Sequence, residues 1–163
     1  MQIHAPTALP ALAFLSAALL SGCGGETADG TAGGAATPDA PAELSAVELE
    51  QGIGPIRDME LAAIDPTLAD QGEEAFITKC SACHKMDERY VGPPLGDVVE
   101  RRRPEFVMNM ILNATEMVER HPEIRAMLAE YFTPMTNQVT DPDEARAILE
   151  YLREAQAEAN QGG

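Results

Sequence analysis

The stretch CSACHKMDERYVGPP, residues 80–94, places two cysteines three positions apart, with a histidine directly after the second. CxxC pairs serve in disulfide exchange, in zinc sites or in haem attachment, and each use needs different surroundings. Zinc would need two further ligands, and only His84 and His121 remain outside the N-terminal signal. Thioredoxin-type exchange needs a strand before the pair, and no strand is predicted there. Cys80, Cys83 and His84 supply the two thioether bonds and the iron ligand of one covalent haem c, which we predict as the cofactor.

The segments around this stretch predict helices. Asp65 is a candidate N-cap and Pro66 a candidate first helical residue, and apolar or small side chains then share one face up to Cys80. Gly72 on that face indicates close packing, because glycine costs a helix about 1 kcal/mol relative to alanine. Three further helices are expected to begin at Pro104, at Pro122 and after Thr140. No run alternates strongly enough for a strand, so the predicted fold class is all-α, with helices packed around one haem.

The charge of the chain restricts its partners. Of 163 residues, 27 are acidic and 11 are basic, which gives a formal net charge of −16 at pH 7. Such a surface repels nucleic acid and favours redox protein partners that present a basic docking surface. An acidic surface that serves only solubility explains the charge equally well. The aromatic content of 4 %, without tryptophan, leaves a thin core that a bound group would complete. We expect a monomer.

The N-terminus predicts export. The apolar run ALPALAFLSAALL, residues 8–20, suits a signal peptide and is too short to span a bilayer as a helix. The following LSGC resembles the bacterial lipobox, and this resemblance implies a mature protein that begins at a lipidated Cys23. The protein would then be membrane-anchored in the cell envelope, facing the periplasm or the exterior. The first four residues contain no Lys or Arg, unlike most signal peptides. A plain secretory signal with Cys23 as an unmodified thiol is the alternative.

Composition divides the chain into five parts. Residues 1–22 are the predicted lipoprotein signal peptide. Residues 23–44 are rich in Gly, Ala, Thr, Pro and Asp and predict a flexible tether, because they cannot bury enough apolar surface to order themselves. Residues 45–64 are more apolar and are expected to pack on or near the domain as an extension. Residues 65–157 form the predicted helical domain, and residues 158–163 a disordered tail.

From residue 65 to residue 153 the chain resembles the monohaem class I cytochromes c. The family's first helix carries a glycine and an aromatic residue before the CxxCH motif, as Gly72 and Phe76 do here. Its C-terminal helix crosses that helix and brings an aromatic residue, which Tyr151 matches. The resemblance also implies that the carbonyl of Pro93, in the Gly-Pro pair after the motif, accepts a hydrogen bond from the proximal histidine.

The sixth iron ligand has several candidates among eight methionines. Met110 and Met127 lie at helical spacing and are interpreted as core residues. Met135 lies behind a proline in an irregular segment before the last helix, where cytochromes of this class place their axial methionine, and we assign it as the ligand. Met117 and His121 are the alternatives, with a solvated or capping role the simpler interpretation of His121.

Two further residues are candidate contacts for the haem propionates. Arg102 belongs to the cluster at residues 101–103, the one run of basic residues in an acidic chain. Tyr90 follows the attachment motif and is expected to line the haem crevice together with Met86 and Val91. A solvated loop explains the arginines equally well, and packing alone explains the tyrosine.

A six-coordinate haem in an apolar shell leaves no open iron position for a substrate. The sequence therefore predicts a one-electron carrier in a bacterial respiratory chain, between a membrane donor complex and a terminal oxidase or reductase, rather than an enzyme. The strings GIGPIRDMEL and EARAILEYLR look similar to small lipoprotein cytochromes found beside periplasmic terminal reductases, nitrous-oxide reductase among them. The alternative is a haem enzyme or gas-binding protein with an open sixth position.

Overall fold

The computed structural model describes residues 43–162, and seven helices occupy this part of the chain. They are α1 (Ala46–Gln51), α2 (Pro66–Lys79), α3 (Val98–Arg101), α4 (Pro104–Leu112), α5 (Ala114–Arg120), α6 (Pro122–Tyr131) and α7 (Pro142–Gly162). These residues contain no strand, so the all-α prediction is confirmed. In this part of the chain no helix is long and apolar enough to cross a membrane. The predicted signal peptide, Cys23 and nearly all of the predicted tether lie outside the described residues.

The predicted helix starts agree with the structure at three positions. The Asp65 carboxylate caps α2 by accepting hydrogen bonds from the backbone N–H groups of Thr67 at 2.9 Å and Leu68 at 3.3 Å. α4 begins at Pro104 and α6 at Pro122. Proline suits the first turn of a helix because that turn needs no N–H donor.

The first and last long helices of the domain cross in close contact. A Cβ atom placed on Gly72 of α2 would lie 1.9 Å from the carbonyl oxygen of Ala147 on α7 and 2.9 Å from Cβ of Tyr151. The rings of Phe76 and Tyr151 pack beside this crossing with their centroids 5.2 Å apart. Close helix packing is therefore the reason for the glycine, as the sequence predicts.

The last helix differs from its predicted bounds at both ends. It begins at Pro142, where the carboxylate of Asp141, rather than Thr140, accepts a hydrogen bond from the N–H of Asp143 at 3.0 Å. It continues to Gly162, so residues 158–162 are helical and the predicted disordered tail is corrected there. The run EAQAEA consists of residues with high helix propensity, which explains why the helix does not stop earlier.

The segment before α2 packs on α4. After α1, residues 52–64 run as an irregular segment that we call the strap. The buried amide of Asn109 donates to the carbonyls of Gln51 at 2.8 Å and Ile56 at 3.0 Å, and it accepts from the N–H of Ile56 at 2.9 Å. One turn earlier, the buried carboxylate of Glu105 accepts from the N–H of Met59 at 2.8 Å. Side chains of α4 thus satisfy backbone groups that the strap cannot pair with itself.

Two apolar clusters flank α4. One joins α2, α4 and α7 and includes Phe76, Val107, Ile111, Ile148, Leu149 and Leu152. The other lies beneath the strap and comprises Ile53, Phe106, Met117 and Ile124. The first cluster borders the cavity that the attachment motif lines. One side of α4 is therefore covered by the strap, and the other side forms part of the cavity wall.

Candidate haem-binding site

The CxxCH motif begins where α2 ends. Cys80 is the C-cap of α2, and its N–H donates to the carbonyl of Phe76 at 2.8 Å. The chain then turns tightly, because the N–H groups of Cys83 and His84 both donate to the carbonyl of Cys80 at 3.0 Å. Cys80 and Cys83 are not joined in a disulfide. This turn brings the side chains of Cys80, Cys83 and His84 to the wall of one cavity.

That cavity has a volume of about 360 Å³ and lies between α2, α4, α6 and α7. Its walls are mainly aliphatic, and they include Val107, Ile111, Ile124, Leu128, Ile148 and Leu152. An apolar cavity with two thiols and an imidazole at its wall suits a flat apolar group that is attached by sulfur and ligated by nitrogen. The residues present therefore fit haem c.

The orientation of His84 is fixed by the backbone that follows it. Its Nδ1 lies 2.9 Å from the carbonyl oxygen of Pro93, so Nδ1–H donates and Nε2 is left to bind a metal. A Cβ atom on Gly92 would lie 2.5 Å from Cε1 of the ring, so only glycine lets the backbone pass this close. The hydrogen bond from the N–H of Gly92 to the carbonyl of Cys83, at 2.8 Å, closes the loop. The structure thus brings His84 and Pro93 together as the resemblance implies.

Met135 lines the same cavity, from the irregular segment between α6 and α7. Met110 and Met127 also line it, which their interpretation as core residues did not anticipate. Met117 does not: it is fully buried beneath the strap, and its sulfur accepts a hydrogen bond from the N–H of Ile53 at 3.1 Å. Of the predicted ligand and its alternatives, the structure places only Met135 at the cavity.

His121 also lies away from the cavity. It occupies the N-cap position of α6, as the capping interpretation implies, but its interpretation as a solvated residue is wrong. Its side chain is 1 % exposed and makes no capping hydrogen bond to α6. Nε2 donates to the carbonyl of Leu49 at 3.1 Å, and the ring packs edge-on against Phe106 at a centroid distance of 5.2 Å. The histidine is buried because α1 covers it, and that contact joins residues 72 positions apart in the sequence.

The two candidate propionate contacts occupy different positions. Arg102 lines the cavity, with its guanidinium paired to Glu123 and its Cζ 4.7 Å from the centroid of the Phe106 ring. Arg101, from the same basic cluster at residues 101–103, also lines the cavity. Tyr90 does not line it: the side chain is 55 % exposed, and the ammonium of Lys85 lies 5.0 Å from its ring. Val91 lines the cavity as expected and Met86 does not.

The surroundings of the two thiols argue against the other uses of a CxxC pair. Burial raises the pKa of the Cys80 thiol to about 11, whereas disulfide-exchange cysteines have a lowered pKa. Within residues 43–162, no three His, Cys, Asp or Glu side chains come close enough to form a metal site by themselves. The zinc interpretation therefore lacks a ligand set in this part of the chain.

Comparison with known proteins assigns the family. Residues 69–156 match the family model described as cytochrome c. The chain belongs to the cytochrome c family. Members of this family bind haem c covalently through a CxxCH motif, typically one per chain, and Cys80, Cys83 and His84 form the motif of this cytochrome c.

Solved structures and a curated relative agree with the family assignment. Cytochrome c from Rhodothermus marinus is 46 % identical, with a TM-score of 0.65, and the match covers 68 % of this chain and 97 % of that one. An engineered form of it, bound to a carbene intermediate, is 44 % identical, with a TM-score of 0.61 and coverage of 68 % and 96 %. Cytochrome c-551 of Stutzerimonas stutzeri is 45 % identical over 40 residues, which are 24 % of this chain and 38 % of that relative.

Proposed function

We propose that this cytochrome c is a one-electron carrier in a bacterial respiratory chain, between a membrane donor complex and a terminal oxidase or reductase. The observation that carries the proposal is that one apolar cavity is lined by Cys80, Cys83 and His84 of the CxxCH motif and by Met135. Bound haem c supplies an iron that gains or loses one electron. With His84 and Met135 as its two protein ligands, no position remains for a substrate, so the protein is a carrier and not an enzyme.

The residues of the chain have distinct tasks in this proposal. Cys80 and Cys83 hold the haem, and Pro93 fixes the ring of His84 through Nδ1. The aliphatic walls exclude water, which limits the solvent reorganisation that accompanies a change of charge. Methionine together with histidine raises the reduction potential relative to two histidines. Three positive side chains line the cavity: Lys79, which pairs with Glu144, and Arg101 and Arg102, which would face the haem propionates.

The cellular setting is part of the proposal. The LSGC sequence supports a lipid anchor at Cys23, which would hold the protein in the cell envelope, facing the periplasm or the exterior. The net charge of −16 supports partners with a basic docking surface, as in encounters between complementary fields. We propose that the protein acts as a monomer, and a periplasmic terminal reductase of the nitrous-oxide type is one candidate acceptor.

The visible spectrum of the oxidised and reduced protein, made with the cytochrome c maturation machinery, tests this proposal. We expect a low-spin haem with the weak far-red methionine-to-iron band, and we expect Met135→Ala to abolish that band. Met127→Ala is the matched control, because Met127 lines the same cavity from a helix and should leave the band intact. Loss of the band in Met127→Ala alone would refute the assignment of Met135. A high-spin wild type that shifts with CO would favour an open-site haem protein instead.

A further inference from the structure

Phe132 combines a strained backbone with an exposed ring. It ends α6 in the left-handed conformation at φ 58, with its N–H donating to the carbonyl of Leu128 at 2.8 Å. Glycine or asparagine is the usual residue in this conformation, and a bulky side chain is an outlier. The ring is 85 % exposed, the highest value among the large apolar side chains of the described residues. Packing among residues 43–162 therefore gives no reason for phenylalanine here, and such outliers point to function.

Phe132 lies at the rim of the haem cavity and is held in place there. Its two neighbours, Tyr131 and Thr133, both line the cavity. The guanidinium of Arg89 lies 4.1 Å from the centroid of the Tyr131 ring and donates to the carbonyl of Glu130 at 2.9 Å. This clamp joins the end of α6 to the segment that follows the attachment motif. The exposed ring is thus presented from a fixed backbone beside the cofactor site.

The order of charged and uncharged residues along the chain near Phe132 resembles the layout of a docking surface. Residues 132–140, FTPMTNQVT, carry no charge, although 23 % of the chain is charged. Asp87 and Glu88 precede Arg89, and Asp141 and Asp143 follow the uncharged segment; all four are exposed. None of these four forms an ion pair within residues 43–162. Interface cores are poor in charge and rich in aromatic side chains, and a charged rim guides the encounter.

We propose that Phe132 is the aromatic anchor through which this cytochrome docks onto a redox protein whose surface has an apolar patch within a ring of Lys or Arg side chains. The inference rests on the proposed function as an electron carrier and specifies the surface that its partner contacts. The uncharged segment meets the apolar patch, and the acidic residues on either side meet the basic ring. The strain at Phe132 is retained because the anchor contributes to partner binding and not to folding.

Stopped-flow oxidation of the reduced holoprotein by a basic cytochrome c, a probe with the proposed surface chemistry, tests this inference. Phe132→Gly should lower the second-order rate constant about fivefold or more, as loss of an interface anchor does. Phe132→Tyr should retain most of the rate. Val47→Ala is the matched control, since Val47 is 50 % exposed on α1, no residue of which lines the cavity. Oxidation by ferricyanide should be the same in all variants, and Phe132→Gly should melt at the wild-type temperature or above it.

The outcomes separate this inference from the proposed function. An unchanged rate in Phe132→Gly overturns the anchor, and so does a wild type that reacts with ferricyanide but not with the basic cytochrome c. A variant that melts lower and is also slower with ferricyanide shows a structural role, which likewise overturns it. If the wild type exchanges electrons with neither oxidant, the proposed carrier function itself fails.

Discussion

Replacing Gly72 with alanine should destabilise the protein, although alanine is the better helix former. The new Cβ would lie 1.9 Å from the backbone oxygen of Ala147, and such contacts are essentially never below 3.0 Å, so α2 and α7 must separate by about 1 Å. Overpacking against a rigid backbone costs about 3 kcal/mol, and alanine returns about 1 kcal/mol of helix propensity. The net loss of about 2 kcal/mol corresponds to a fall of about 10 °C in Tm for a domain of this size.

Thermal and urea unfolding of the holoprotein, followed by far-ultraviolet circular dichroism, measures this loss. Gly162→Ala is the matched control, because it makes the same change on α7 at a position where a Cβ meets nothing within 4 Å. That variant should unfold as the wild type does or slightly later. If Gly72→Ala is as stable as Gly162→Ala, the two helices do not depend on their close approach and the steric reasoning fails.

Two further predictions concern acid stability and localisation. Burial raises the pKa of Glu150, but hydrogen bonds from Arg146, from the N–H of Asp65 and from Arg153 outweigh it and hold the pKa below 4.5. A carboxyl whose pKa is lower in the folded than in the unfolded state stabilises the protein at pH values above the unfolded pKa. This stabilisation is lost as the pH falls through the folded pKa. Glu150→Gln should thus unfold at lower urea at pH 7, and its deficit should shrink below pH 4.5; a deficit that does not vary with pH would contradict this. Cys23→Ser should move the protein from the membrane fraction to the soluble fraction, and a wild type already in the soluble fraction would disprove the anchor.

The features that could be predicted are those encoded by neighbouring residues. Two cysteines and a histidine within five consecutive residues define the attachment site, and the sequence places them without knowledge of any other segment. Asp65 before Pro66 marks a helix start, because cap and first turn adjoin in the chain. The same kind of signal was present at α1, where Ser45 and Glu48 form a capping box, but the short helix was not predicted. Local signals of this type could have found it.

The features that could not be predicted depend on contacts between distant segments. His121 precedes a proline at a helix start, a pattern that indicates an exposed residue, yet α1 folds over it from 72 positions away. Met110 and Met127 follow helical periodicity, which shows that one face of each helix is buried. Periodicity does not distinguish a side chain that packs in the protein core from one that lines a cofactor cavity. The position of Tyr90 outside the cavity is likewise set by the path of the chain and not by its neighbours.

One sequence feature, a row of polar residues along α4, is explained by the pairing of the strap with that helix. Glu105, Asn109 and Asn113 recur every fourth residue, so they form a polar row along a helix that is otherwise apolar. A polar row on a surface helix usually faces water, but Glu105 and Asn109 are 1 % and 0 % exposed. Buried side chains with this spacing must pair with polar groups from another segment. A buried amide or carboxylate that lacks a hydrogen-bond partner loses its hydration without compensation, which destabilises the folded state. The strap and the end of α1 supply those groups as backbone amides and carbonyls, so the segment that precedes α2 stabilises the helix that lines the haem cavity, and that helix in turn stabilises the segment.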